Sequence, residues 1–396
     1  MGRQPGPPDP AGADGLAALA DRVGLPGPLT PARTARRADG GVGVLIGLLA
    51  DDGAPGATRA LLAEWLPGLR AGFRCGGLFD SGLAGYVVGL THAARAEPKL
   101  AGPAAGMRTR LAGWTRSAPW RTDRVGWSDY DLVTGASGVL LAQAGLPDVT
   151  PAELAPAVGH LVGLCDAADL PRLRIGGLPV GGGRSSRGDH LDHGLAHGIP
   201  GILVALAAAV RRLGHEPAVV VALQRVATVL ARSSYVDAAG VTSWPAGSAG
   251  ADPAGTVRRQ AWCYGTPGVA WALWDAGTAI GDPRIAELGW HAMATVCDVW
   301  LDERYLYGDG PGDRLGVCHG AAGVLAVADA FARHAGHPSA ARLSDHLAAL
   351  LDRHTDAIGE LAGTDLTMLT GVSGVLSVLH TVRGGRRDWL PILGLR

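Results

Sequence analysis

The sequence predicts an all-α fold closed into an α/α toroid, a double barrel of seven inner and seven outer helices. Three observations lead there: a Gly-x-x-Gly motif recurs, an apolar run follows each copy, and amphipathic stretches lie between copies. The motif occurs at Gly40/Gly43, Gly82/Gly85, Gly135/Gly138, Gly198/Gly201, Gly265/Gly268, Gly320/Gly323 and Gly371/Gly374, with starts 42, 53, 63, 67, 55 and 51 residues apart. One such motif carries no information; seven, each followed by an apolar run such as 324–328 or 375–379, are a repeat.

The inner helices are the runs that follow the motif, apolar on nearly all sides and poor in charge, as helices buried all round must be. The outer helices are the stretches between motifs. In 218–233, 283–301 and 340–354 apolar residues return at three- and four-residue spacing with Arg, Asp or Glu between them. Glycine at each inner start lets backbones converge and leaves N–H groups pointing into the mouth of the ring. An open solenoid is the alternative, but these inner helices are too apolar to line an exposed concave surface. Strand signals are scarce.

Composition fits one large domain over residues 14–396. The chain has 396 residues, 47% of them hydrophobic, and a formal net charge of −1, which supports a sizeable core and no electrostatic grip on nucleic acid. Residues 1–13, rich in Pro and Gly, lack the order of a signal peptide and are expected to be a disordered terminus. The longest apolar stretch, 199–210, is too short to span a bilayer and runs into Arg211-Arg212. A soluble, cytoplasmic protein is expected.

Five cysteines without an export signal do not read as a disulfide framework. Cys75, Cys165 and Cys297 stand singly among apolar neighbours and are expected to be small buried hydrophobes. Cys263 and Cys318 differ, because each directly precedes a Gly-x-x-Gly at matching places in the repeat. With His319 they form a candidate zinc site of two thiolates and one imidazole. Structural zinc sites use four protein ligands, so three leave a position open for water or substrate. Adjacent residues inside a helix point about 100° apart, so Cys318 and His319 can share an ion only from a loop or first turn, where the repeat puts them.

Three more polar residues fall at the same mouth: Asp131 before Gly135, His197 before Gly198, and Arg259 four residues before Cys263. Each alone would be a cap, a core histidine or surface charge; together, beside a metal site, they are candidate catalytic residues. His193 and His197 have the spacing of a helical metal pair, but Gly194 and Gly198 argue against a regular helix across them, and no Glu stands where a zinc-protease helix needs its base.

Trp-Cys-Tyr-Gly-x-Pro-Gly at 262–268, Cys-His-Gly at 318–320 and Ala-His-Gly at 196–198 resemble the lanthionine synthetase C-like cyclases of lanthipeptide biosynthesis, over the chain from about Gly40 onward. The resemblance implies an α/α toroid of seven inner and seven outer helices, in agreement with the repeat count. It implies zinc ligands at Cys263, Cys318 and His319, and active-site roles for Asp131, His197 and Arg259. Cys-His-Gly looks like the stand-alone cyclase rather than the fused dehydratase–cyclase type, for which the length leaves no room. The implied reaction is intramolecular Michael addition of a peptide cysteine to dehydroalanine or dehydrobutyrine, closing a thioether ring. Partners implied are the dehydrated precursor peptide, leader plus core, with a lanthipeptide dehydratase and an exporter that would hold the protein peripherally at the inner membrane face.

The residues make chemical sense of that reaction. Arg259 suits the enolate oxygen, His197 suits proton transfer because its ordinary pKa lies near neutrality, and Asp131 would orient it. Whether His197 is base, acid or both stays open at this point. Some relatives carry a β-rich insertion between early repeats; the 49 residues between Gly85 and Gly135 could hold a reduced one. The arginines at 108, 110, 116, 121 and 124, with Trp114, Trp120 and Trp127, read there as a solvated face or as a leader-peptide dock. The rivals are a zinc hydrolase with water in the open position, a glycosidase with two carboxylates, and a non-catalytic zinc- and thiol-binding relative.

Overall fold

A computed structural model describes residues 15–25, 38–69, 72–73, 76–79, 81–175, 179–180, 183–184, 190–246 and 259–396. The terminus expected at 1–13, and Cys75, lie outside the described residues. In chain order the helices are α1 (Leu16–Arg22), α2 (Gly40–Asp51), α3 (Pro55–Leu69), α4 (Leu83–Ala93), α5 (Ala101–Arg116), the single turn α6 (Trp127–Tyr130), α7 (Ala136–Gly145), α8 (Pro151–Leu164) and α9 (Ile199–Leu213). They continue as α10 (Pro217–Ser233), α11 (Thr266–Ile280), α12 (Pro283–Asp298), the short α13 (Asp302–Tyr305) and α14 (Pro311–Leu315), α15 (Ala321–Ala335), α16 (Pro338–Arg353), α17 (Thr355–Thr364) and α18 (Val372–Val382).

The inner ring is α2, α4, α7, α9, α11, α15 and α18, each packed on the next, with α18 returning to α2, so the ring closes. Outside it, α3, α5, α8, α10, α12 and α16 each cover the inner helix before them. The seventh outer place is filled from the other end of the chain: α1 lies against α18 and α2. The fold is thus the expected all-α toroid of seven and seven. Among the described residues the strands are two antiparallel two-residue hairpins, β1 (Pro179–Val180) with β2 (Gly183–Arg184) and β3 (Tyr235–Val236) with β4 (Thr242–Ser243). Residues 86–134, where an insertion was conceivable, hold helices and no strand. Arg108 there is tied to Glu153 of α8 at 2.8 and 2.9 Å, which makes it a brace within the outer layer. Among the described residues, no helix is long and apolar enough to cross a membrane.

The two layers start their helices differently. Outer helices α3, α8, α10, α12 and α16 open on proline, whose fixed φ suits the first helical position and whose missing N–H would have been unpaired anyway. Inner helices α4, α7, α9, α11, α15 and α18 are capped by glycine. The second glycine of the motif is needed for close approach. The loops entering α4, α7, α9, α11, α15 and α18 fold back over the first turn, so a Cβ at Gly323 would sit 1.8 Å from the Val317 carbonyl oxygen and one at Gly374 1.9 Å from that of Met368. Gly374→Ala is therefore expected to destabilise the fold by at least about 2 kcal/mol through overpacking. Gly159, on the exposed face of α8 with nothing within 4 Å of its would-be Cβ, is the control. Gly159→Ala should stabilise by about 0.5–1 kcal/mol. Urea denaturation of both variants measures the contrast; equal effects would refute the account of the motif.

The loops at the mouth are stitched together by backbone hydrogen bonds running in one sense around the ring. Leu78 N–H donates to Val133, Leu132 to Ala196, Ala196 to Cys263, Cys263 to Cys318, and Cys318 to Leu369, at 2.8–3.3 Å. Met368 N–H then reaches the Asp39 carboxylate, the cap of α2, at 3.1 Å. A segment around Leu390–Leu393 packs on α7, and its carbonyls accept the buried indoles: Trp262 donates to Leu393 at 3.0 Å and Trp271 to Gly394 at 2.7 Å. Because Trp262 precedes Cys263, this floor fixes the loop that carries the first candidate ligand.

Candidate metal centre and active site

Cys263 precedes the Gly265 cap of α11, and Cys318 and His319 precede the Gly320 cap of α15, the next helix in the ring. The Cys263 N–H···O=C Cys318 bond, 3.2 Å long, holds the two loops at neighbouring-strand spacing. As a result both sulfurs and a His319 nitrogen lie within 4.8 Å of one another, with Cys318 Sγ 3.8 Å from His319 Nε2. A tetrahedral zinc, with metal–sulfur bonds of about 2.3 Å and metal–nitrogen bonds of about 2.0–2.1 Å, sets ligand atoms about 3.5–3.8 Å apart. The donor set and its convergence fit zinc, and it is the one such group of three among the described residues. The other His319 nitrogen, Nδ1, lies 3.9 Å from Asp313 Oδ1, too far for a hydrogen bond, and has no hydrogen-bond partner among the described residues.

One of the two thiols, that of Cys318, is primed for deprotonation. The Cys263 thiol, hydrogen-bonded to the Cys318 sulfur, and the His319 ring beyond it hold the Cys318 pKa down at about 5 against the cost of burial. The same contact and burial push Cys263 up. Burial pushes the thiols of Cys165 and Cys297 up to about 12, but only Cys165 is the fully buried hydrophobe expected of both; Cys297 is half-buried.

Asp131 and His197 come together on the adjoining loops. Asp131 is completely buried just after α6; its Oδ1 accepts the N–H groups of Thr134 at 2.7 Å and Gly135 at 2.8 Å. Its Oδ2 lies 2.6 Å from His197 Nδ1, so the Nδ1 proton is held by the carboxylate and Nε2 is left for other work. Burial pushes the His197 pKa down, but the Asp131 hydrogen bond, the charges of Asp131 and Asp192, and the Cys318 sulfur outweigh it and leave the value raised.

Three residues join this site that the sequence reading did not assign. Tyr264, inside the 262–268 motif, has its ring 6.5 Å from that of His197 and donates its hydroxyl to Asp192 Oδ2 at 2.7 Å. Asp192 is buried, which raises its pKa, and Oδ1 accepts the Gly194 N–H at 2.8 Å. Trp127 stacks on His197 with ring centres 4.7 Å apart and planes 27° apart. Presence in a motif could have flagged Tyr264; nothing in the local sequence marks the other two.

Arg259 reaches the mouth with its guanidinium engaged by the segment 307–319. Its guanidinium donates to the carbonyls of Tyr307 at 2.6 Å, Asp313 at 3.2 Å and His319 at 3.4 Å, and lies 4.0 Å over the Tyr307 ring. It braces the loop that carries His319. His193 is buried in the same region, and burial pushes its pKa down to about 4; it joins no metal group with His197 among the described residues.

A closed seven-by-seven helical toroid with a Cys-Cys-His cluster and a buried Asp–His pair at its mouth defines a class of metal-ready α/α barrels. The family model described as lanthionine synthetase C-like protein matches residues 77–392, and the chain belongs to that family. Among solved structures it is similar to one titled nisin cyclase, at 18% identity and a TM-score of 0.75, with 96% of this chain and 95% of that chain covered. No curated protein matches it in sequence.

Proposed function

We propose that the chain is a zinc-dependent lanthipeptide cyclase that adds a peptide cysteine to dehydroalanine or dehydrobutyrine. The observation that carries this reading is His197, its Nδ1 pinned by Asp131 at 2.6 Å and its Nε2 without a hydrogen-bond partner among the described residues, in a mouth shared with a three-donor cluster. Cys263, Cys318 and His319 would hold zinc, which through its open fourth position would keep a substrate thiol deprotonated at neutral pH. The addition breaks the thiol S–H bond and the alkene π bond and forms one C–S bond at Cβ and one C–H bond at Cα, so it balances without oxidant or reductant.

In this reading His197 handles the proton. Its raised pKa keeps a proton at hand near neutrality, and Nε2 delivers it to the enolate carbon once the C–S bond has formed. Asp131 holds the tautomer and balances the imidazolium. Tyr264 and Asp192 stand near the ring, and Arg259 fixes the His319 loop rather than binding the enolate. The two buried carboxylates of the site are both engaged, Asp131 by His197 and Asp192 by the Tyr264 hydroxyl, which is not the cleft-spanning acid and base that a glycosidase needs. The fit to a dehydrated precursor peptide as substrate follows from the same chemistry and from the name of the structural relative.

The test is a peptide bearing one cysteine and one dehydroalanine. Alkylation of remaining thiols followed by mass spectrometry counts ring closure, which itself leaves the mass unchanged. Acceleration over the enzyme-free reaction, with one Cα configuration favoured, is expected. Thiol binding without acceleration or stereocontrol would make the chain a thiol-binding relative, and hydrolysis of simple esters would favour a hydrolase.

A further inference from the structure

We propose that Trp127 is a positioning residue for His197, fixing the direction in which Nε2 presents its proton; the inference rests on the cyclase reading above. Trp127 and Asp131 are one helical turn apart, and the Asp131 N–H donates to the Trp127 carbonyl at 2.8 Å. Side chains four residues apart share a helix face, so this one turn offers His197 two contacts at once. Asp131 Oδ2 takes the ring's edge at Nδ1, 2.6 Å away, and the Trp127 indole lies on its face at 4.7 Å.

The two contacts do different things. A single hydrogen bond at Nδ1 leaves the imidazole free to swing about the N···O line, which carries Nε2 through an arc. Stacking against a flat neighbour removes that freedom. The neighbour is itself fixed, because the turn is locked from below: Asp129 Oδ2 accepts the Gly126 N–H at 2.7 Å, and its Oδ1 accepts the Arg121 N–H at 2.9 Å. The Arg121 guanidinium pairs with the same carboxylate at 2.8 Å. Tyr264, at 6.5 Å from His197, is too distant to supply the same restraint. The indole N–H of Trp127 has no hydrogen-bond partner among the described residues, so the ring's flat face, and not a polar contact, is what it contributes. A phenyl ring should therefore do the same work and an aliphatic side chain should not.

The experiment compares Trp127→Leu and Trp127→Phe with the wild type on the cysteine–dehydroalanine peptide. Trp127→Leu should lower kcat about tenfold, with KM little changed, as expected when a reacting group loses alignment. It should also erode the preference for one Cα configuration, because a swinging Nε2 can protonate either face. Trp127→Phe should restore both, and zinc content should be equal in all three proteins. A purely structural role would not produce loss of stereocontrol rescued by Phe. Wild-type kcat and configuration in Trp127→Leu would overturn the proposal. A second readout does not depend on turnover: the His197 C–H proton signals should be shifted upfield by the indole, and the shift should vanish in Trp127→Leu. If the wild type forms no thioether, the cyclase reading fails while the shift still tests the stack; an unshifted His197 in the wild type overturns the proposal by itself.

Discussion

Cys318→Ala protein is expected to emerge from purification with almost no zinc, while the wild type carries about one equivalent per chain. Two remaining donors cannot hold the ion in competition with water, and Cys318 is the donor that links the other two: it lies 3.8 Å from His319 Nε2 and shares a hydrogen bond with Cys263. Ring closure should fall to the enzyme-free rate. Helicity should stay near the wild-type level, because the ring is held by inner-helix packing and by mouth hydrogen bonds that use backbone groups, which alanine retains. Cys263→Ala should behave alike. Elemental analysis with circular dichroism decides the matter: zinc retained in both variants would remove these residues from the ligand set, and loss of helix along with zinc would make the site structural.

For His197→Ala the expectation is the reverse pairing, zinc retained and cyclisation slowed by ~10²-fold or more, the usual scale for a positioned acid–base group. Asp131→Asn should show part of the same defect, since an amide can still accept at Nδ1 but cannot balance an imidazolium. The pair also has a stability signature. Folding raises the His197 pKa, so its contribution is fully present below the unfolded value of about 6.5 and fades as pH climbs through the raised folded value. Asp131→Asn should therefore lose more stability, relative to wild type, at about pH 5.5 than at about pH 8.5. Urea midpoints at the two pH values would show it, and an equal loss at both would mean that the pair does not charge as described.

Much of this site can be read along the chain because the repeat converts sequence position into place. Cys263, Cys318 and His197 all stand one or two residues before a capping glycine, and the fold brings all such positions to one mouth. What a position does not reveal is where a long side chain points. Arg259 stands at the mouth in sequence, and the carbonyls of Tyr307, Asp313 and His319 take its donors. Contacts between loops are equally hidden: Trp127 and His197 meet because neighbouring inner helices bring their entry loops side by side, and neither residue carries a local mark of the other. The seventh outer helix is hidden for a related reason. A repeat read forward assigns each outer helix to the motif before it, whereas α1 closes the layer from the opposite end of the chain.

The one-way chain of hydrogen bonds around the mouth makes the toroid behave like a dial. Leu132, Ala196, Cys263, Cys318 and Leu369 occupy the same notch on successive steps, and each of the first four has its N–H committed to the next step's carbonyl. An ion can be shared only between neighbouring notches, so which pair carries thiols sets where on the dial the reaction takes place. Here the thiols stand immediately after the step that carries His197, and the proton-handling residues come from the two steps before them. Moving the cysteines one notch onward would keep a metal site of the same shape but part it from His197. The order of the repeats is thus itself a constraint on the chemistry, and the seven copies, alike in backbone, are not interchangeable.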